Sequence, residues 1–176
     1  RPLSHRALLS YLEERGIAPA IAQRHCKEVH FRLYGKRYFA IGYGNRCGGF
    51  ELRNRFFKGC IPPKDFSSFR QGSSRCHLYE GFMDWLSALT LGIGNEEDSL
   101  VLNSVANVDK AIPALENYQE IVCHLDHDDA GRRAVEVLCK HFGERMTDHS
   151  GLYSGYKDLN EYLVAKQKIS NHQNKE

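Results

Sequence analysis

The chain changes its hydrophobic rhythm twice. From Ser4 to Arg15 apolar residues recur at helical spacing, with Leu8, Leu9 and Leu12 on one side, Ser4 placed as an N-cap and Gly16 as a stop. Pro19 opens a second short helix through His25. From Lys27 the period drops to two: Val29, Phe31 and Leu33 alternate with polar neighbours, Gly35 turns the chain, and Arg37–Tyr43 returns as a partner strand. A turn over Asn45–Gly49 leads to a third strand, Gly49–Asn54, and Phe56–Cys60 forms a short fourth. The pattern predicts a helix pair followed by an antiparallel meander.

Two breaks, Ile61-Pro62-Pro63-Lys64 and Gln71-Gly72-Ser73-Ser74, mark a boundary near residue 70. Beyond it, strands over Cys76–Tyr79, Ser99–Asn103, Glu120–Leu125 and Arg145–His149 alternate with helices. Those helices are predicted over Phe82–Leu91, Asn107–Tyr118, Asp129–His141 and Leu159–Gln167, with Trp85, Leu86 and Leu89 in the core. Alternation at this spacing predicts a parallel sheet with right-handed crossovers. The fold class is therefore α/β: a parallel sheet flanked by helices, preceded by a small α+β lobe. The expected organisation is a basic lobe over 1–70, the α/β domain over 71–169, and a polar, disordered tail over 170–176.

Composition narrows the setting. The longest mostly apolar stretch, Phe82–Ile93, carries Asp84 and falls short of the roughly 20 residues a membrane span needs. No signal peptide is visible, and a chain opening on Arg1 is expected to be a piece of something longer. Six cysteines occur without a C-x-x-C pair, which argues for reduced thiols and a cytoplasmic setting over a zinc ribbon or disulfide framework. His25, Cys26 and His30 fit packing better than metal ligation. So do His124, His127 and His141.

Charge changes the picture more. Residues 1–70 carry 14 Lys and Arg against 5 Asp and Glu, while residues 71–176 carry 10 against 17. A basic lobe beside an acidic one suits an enzyme that holds polyanions on one side and cations on the other.

The acidic residues cluster where strands are predicted to end. Glu80-Gly81 follows the strand at Cys76–Tyr79, with Asp84 one helical turn on. Asp126 and Asp128 follow Glu120–Leu125, two apart, so both face one crevice while His127 points away. Ligands of open parallel sheets bind beyond the carboxyl ends of the strands. Carboxylates meeting there hold Mg²⁺ or Mn²⁺ and serve phosphoryl transfer. A single aspartate would be better explained as a helix cap. Two acidic motifs at successive strand ends are not.

The stretches E-G-x-x-D, Glu80–Asp84, and D-x-D-x-A-G, Asp126–Gly131, resemble the signature of the Toprim domain. That domain is shared by bacterial-type primases, type IA and type II topoisomerases, OLD-family nucleases and recombination proteins. The Tyr11–Ile17 stretch, the strand Gly48–Asn54 and Pro63-Lys64 are further similar to the polymerase core of bacterial-type (DnaG-like) primases, especially primase-like proteins of mobile elements. The resemblance implies a metal-dependent, template-directed nucleotidyltransferase that makes primers on single-stranded DNA from nucleoside triphosphates. Asp126, Asp128 and Glu80 would be catalytic and would ligate the metal with Asp84 and Asp158. Arg53 and Lys64, with Arg55 and Lys58 beside them, would hold nucleic-acid and nucleotide phosphates. A helicase would be engaged through regions outside this chain. One departure stands out: where such primases show D-P-D, this chain has Asp158-Leu159-Asn160, so a neutral amide replaces a carboxylate. A Toprim nuclease of a mobile element and a non-catalytic DNA-binding module are the alternatives. No tyrosine-bearing topoisomerase domain is recognisable.

Overall fold

Cross-strand register organises the first half of the chain. The computed structural model describes residues 1–173 and divides into two units, Arg1–Asp65 and a second that begins at Phe66. The first unit opens with α1, Arg6–Glu14, and α2, Pro19–His25, followed by β1, Lys27–Leu33, β2, Lys36–Gly44, β3, Phe50–Arg53, and β4, Lys58–Ile61. The four strands form one antiparallel sheet in the order β1-β2-β3-β4. One face carries buried Glu28, Ile41 and Tyr43, and the Nε–H of Arg53 on that face donates to the Tyr11 hydroxyl of α1 at 3.2 Å. The other face carries Val29, Phe31, Tyr38, Phe50 and Phe57. Glycines make room for that layer: a Cβ at Gly59 would lie 2.4 Å from the Phe57 ring, and one at Gly42 2.3 Å from Val29 Cγ2.

Helix α1 begins one residue later than the expected cap. His5 is the N-cap, its Nδ1 accepting from the Ala7 amide at 3.2 Å. Ser4 is engaged elsewhere, because buried Glu28 accepts from the amides of Ser4 and His5 at 3.3 and 2.8 Å. Those bonds fix the backbone on entry to the helix.

The second unit contains β5, Ser67–Phe69, β6, Arg75–Tyr79, α3, Phe82–Leu91, β7, Asp98–Val101, and α4, Val108–Leu115. Then come β8, Glu120–His124, α5, Asp129–Phe142, β9, Met146–Asp148, and α6, Leu159–Gln173. Its sheet runs β5-β7-β6-β8-β9, with β6 to β9 mutually parallel and β5 antiparallel to β7. Strand β5 was not expected: three residues opening on two serines show no alternation. Its pairing ties Ser67–Phe69 to the second sheet, so the division falls at residue 65. Helix α6 runs on to Gln173, so Ser170–Gln173 form its last turn instead of a frayed tail. The rest of the expected tail, 174–176, lies outside the described residues.

The apolar core lies on one face of this sheet, where Cys76, Leu78, Leu100, Ile121 and Cys123 meet Ala111 and Leu115 of α4 and Ala134 and Leu138 of α5. Side-chain alternation sends His77, Tyr79 and His124 to the opposite face. There His77 Nδ1 and His124 Nε2 are 2.9 Å apart, His77 Nε2 is 2.5 Å from Glu97, and the Tyr79 ring stacks on His124 at 4.9 Å. Burial lowers both imidazole pKa values, that of His124 to about 3. Hydrogen bonds from His77 hold Glu97 ionised against the effect of burial. The rings are therefore neutral, with His124 Nε2–H donating to His77 and His77 Nε2–H donating to Glu97.

Burial alone would raise the pKa of Glu28, but hydrogen bonds from His30, His5 and Ser4 pull it from 4.5 to about 2. A carboxylate depressed on folding stabilises above its unfolded pKa and loses that contribution as pH falls through the folded one. Urea unfolding of the wild type is thus expected to show stability falling between pH 4.5 and about 2. Glu28→Gln should lose that dependence and cost about 1–3 kcal/mol at neutral pH, the range for disrupting a buried hydrogen-bonded group.

Candidate metal centre

Two adjacent parallel strands deliver the first carboxylates. Strand β6 ends at Tyr79 and releases Glu80. Gly81 then starts α3 without a side-chain cap, and a Cβ there would lie 3.6 Å from Asp84 Oδ2, because Asp84 folds back over the helix start. Strand β8 ends at His124 and releases Asp126, whose amide donates to Glu80 Oε2 at 3.2 Å. The two strand exits are thereby tied. Asp128 caps α5, accepting from the Gly131 amide at 2.8 Å. Residue 131 must be glycine, since a Cβ would sit 2.2 Å from the Asp126 carbonyl oxygen.

Helix α6 supplies the remaining groups. Asp158 accepts from the Glu161 amide at 2.8 Å while Glu161 accepts from the Lys157 amide at 2.9 Å, a near-reciprocal cap. The Asn160 amide N–H donates to Asp84 Oδ1 at 3.1 Å, and its side-chain nitrogen donates to Ser87 Oγ at 2.8 Å. Asn160 is fully buried, and through these bonds it locks α6 to α3.

The five acidic residues singled out in the sequence come together. One oxygen from each of Glu80, Asp126 and Asp128 lies within 4.8 Å of the others, and the same holds for Asp84, Asp126 and Asp158. Asp126 belongs to both sets. Burial, then the charges of Glu80, Asp158 and Asp128, push its carboxyl up to about 7, with Lys157 opposing. Asp84 is raised well above the usual range by burial and by Asp158 and Asp126, against the Asn160 N–H, with Glu80 adding to the rise. Carboxylates that raise one another in this way accept a cation in place of protons, and an all-oxygen set fits Mg²⁺ or Mn²⁺.

The basic candidates lie in the first unit. Arg53 and Lys58 face each other across β3 and β4. Arg55 forms an ion pair with Glu14, which spends its charge within the protein. Lys64 is exposed and, with Lys58, opposes the burial that raises Glu51.

Sequence reasoning missed a polar cleft of about 430 Å³ in the second unit, lined by His127, Arg132, Ser154, Gly155, Tyr156 and Lys157. His127 joins its walls: its amide donates to the Lys157 carbonyl and its Nδ1–H to the Tyr156 carbonyl, both at 2.7 Å. The available signal was position, since Arg132 follows Gly131 and Lys157 precedes Asp158.

Residues 77–163 match a family described as Toprim-like. This stretch of the second unit is a Toprim-like domain. Residues 1–62 match a family described as a domain of unknown function (DUF8464), and no curated protein sequence matches the chain. Around this Toprim domain the whole fold is that of primase catalytic cores. The primase fragment of the bacteriophage T7 primase-helicase protein is similar at TM-score 0.68 and 18% identity, covering 94% of this chain and 72% of that one. The Aquifex aeolicus primase, in its zinc-binding and RNA polymerase domains, gives 0.66 and 16%, covering 97% of this chain. The chain spans 55% of that structure. The DnaG catalytic core gives 0.59 and 16%, covering 94% and 71%.

An acid whose pKa rises on folding stabilises below its unfolded value and loses that contribution as pH climbs through the folded one. In metal-free buffer the melting temperature is therefore expected to fall as pH rises from 3.8 to about 7, the interval over which Asp126 titrates. Asp126→Asn should flatten that descent and melt above wild type at neutral pH, as read by calorimetry.

Proposed function

We propose that this chain is the catalytic core of a DNA primase-like nucleotidyltransferase. It joins nucleotides along a single-stranded DNA template and releases pyrophosphate. The observation that carries this reading is the convergence of Glu80, Asp126 and Asp128, with Asp84 and Asp158, at the carboxyl end of a parallel sheet. Likeness to primase cores over both units supports primer synthesis above hydrolysis by a Toprim nuclease.

In this reading Glu80, Asp126 and Asp128 hold one Mg²⁺ or Mn²⁺, and Asp84 and Asp158 complete a second set through Asp126. A bound divalent ion would screen the triphosphate and polarise the attacked phosphorus. The protein's own contribution is preorganisation. The Asp126 amide on Glu80, the Gly131 amide on Asp128 and the Glu161 amide on Asp158 fix each carboxylate before any ligand arrives. Glu80 is the candidate acceptor for the proton of the attacking hydroxyl. Asn160, which replaces a carboxylate, lowers the charge of the second set. Arg53, Lys58 and Lys64 bind phosphates, with Arg55 a weaker contributor because Glu14 pairs with it. Among the described residues no helix is long and apolar enough to cross a membrane. Action in the cytoplasm beside a helicase, recruited through sequence outside this chain, belongs to the same proposal.

Supplied with single-stranded template, nucleoside triphosphates and Mn²⁺, the wild type is expected to make new primers. Asp126→Asn should cut the yield more than about a hundredfold, beyond what loss of an outer-shell partner costs, with an unchanged circular dichroism spectrum. Shortened DNA instead of new product would mean hydrolysis. Mn²⁺ at a hundred times its dissociation constant should stabilise the wild type by about 2.7 kcal/mol, and Asp126→Asn much less.

A further inference from the structure

Position 160 carries an amide where the primases this chain resembles carry a carboxylate, and the helix it faces accounts for the difference. Ser87 and Thr90 both lie on α3 and both send their hydroxyl protons one turn back. Ser87 Oγ–H donates to the Met83 carbonyl at 2.7 Å, and Thr90 Oγ1–H to the Leu86 carbonyl at 2.8 Å. With its proton committed, Ser87 offers a partner only lone pairs. Asn160 meets that demand, its Nδ2 donating to Ser87 Oγ at 2.8 Å. Ser87 is fully buried and Asn160 is 1% exposed, so neither can turn to bulk water instead. A carboxylate in the same place would set lone pairs against lone pairs, with buried Asp84 one helical turn away from Ser87.

Through its backbone Asn160 also reaches the acidic site. Its N–H donates to Asp84 Oδ1 at 3.1 Å, and Asp158, two residues earlier, accepts from the Glu161 amide at 2.8 Å. One residue thus pins the first turn of α6 against the turn of α3 that carries Asp84. Two members of the Asp84–Asp126–Asp158 set are placed by that contact. In the other set, Glu80 and Asp128 are held by the amides of Asp126 and Gly131.

We propose that Ser87 is a positioning residue for the Asp84–Asp126–Asp158 set, and that it makes position 160 specific for an amide. Asn160 is then a lock and contributes no ligand oxygen. Restoring the carboxylate of D-P-D weakens the set instead of completing it. That the set holds a divalent cation rests on the proposed function, while the lock itself does not.

The test pairs amide hydrogen exchange of the full chain in EDTA with calorimetric titration of Mn²⁺. Both are run at about pH 8, well above the ordinary aspartate pKa. Ser87→Ala leaves a buried donor unmatched and should speed exchange of the Asn160 amide by at least about tenfold. It should also weaken Mn²⁺ binding by about ten- to a hundredfold, the usual cost of losing a group behind a ligand. Because the two sets share Asp126, the loss is assigned in an Asp128→Asn background, which leaves the Asp84–Asp126–Asp158 set intact. Ser87→Ala should weaken binding there by the same factor. Asn160→Asp should also bind Mn²⁺ at least about tenfold more weakly than wild type. Thr90→Ala, which removes the equivalent hydroxyl from the same helix, should change neither reading.

Wild-type exchange in Ser87→Ala overturns the lock. Tighter Mn²⁺ binding by Asn160→Asp makes 160 a ligand position and overturns the amide specificity. Faster exchange with unchanged Mn²⁺ affinity leaves a purely structural bond and overturns the positioning role. Faster exchange in a protein whose wild type binds no Mn²⁺ upholds the lock and rejects the metal-centre reading. Primer synthesis and Mn²⁺ binding that Ser87→Ala leaves untouched do the reverse.

Discussion

Negative charge forced together at one end of a parallel sheet is the constraint around which the second unit is built. Glu80 and Asp126 leave neighbouring strands, and the Asp126 amide donates to the Glu80 carboxylate. Asp128 and Asp158 are pinned by the helices they cap. Asp84 is buried between α3 and the start of α6. Glu80, Asp84, Asp128 and Asp158 cannot relax outward without giving up a hydrogen bond. The repulsion is therefore stored in the fold, and a divalent cation is the simplest means of relieving it.

The two units divide the work along lines of charge. The acidic unit gathers five carboxylates, and its cations Lys157 and Arg132 line a polar cleft beside His127. The basic unit offers a sheet on which, among the described residues, Arg32 and Arg37 form no ion pair, and its buried carboxylate Glu28 holds His30 and the amide of His5 in place. Each unit by itself thus presents one predominant sign of charge.

Much of this was legible in the sequence because the informative residues sit at element ends. Period-two alternation locates β1 and β2 to within a residue, and the two acidic motifs mark strand exits. What stayed hidden depended on long-range pairing. Strand β5 has no alternation of its own and exists because β7 offers an edge. The start of α1 moved to His5 because Glu28, more than twenty residues away, bonds the amides of Ser4 and His5. Asn160 read as a softened ligand, whereas in three dimensions its nitrogen atoms lock two helices. The like charges of Arg53 and Lys58, opposite one another across the first sheet, could not be seen without knowing the register.

The histidines under the second sheet carry a lesson of their own. His124, His77 and Glu97 share one directional run of protons, in which each ring accepts or donates according to what its neighbour does. Replacing His77 by an apolar ring strands the buried His124 donor on one side and takes one donor from the half-buried Glu97 on the other, which Arg75 still engages. Replacing both imidazoles removes the stranded donor and leaves Glu97 its Arg75 partner. Drift at these positions should accordingly proceed by joint exchange, with lone intermediates selected against, so that the two sites vary as a single character across lineages.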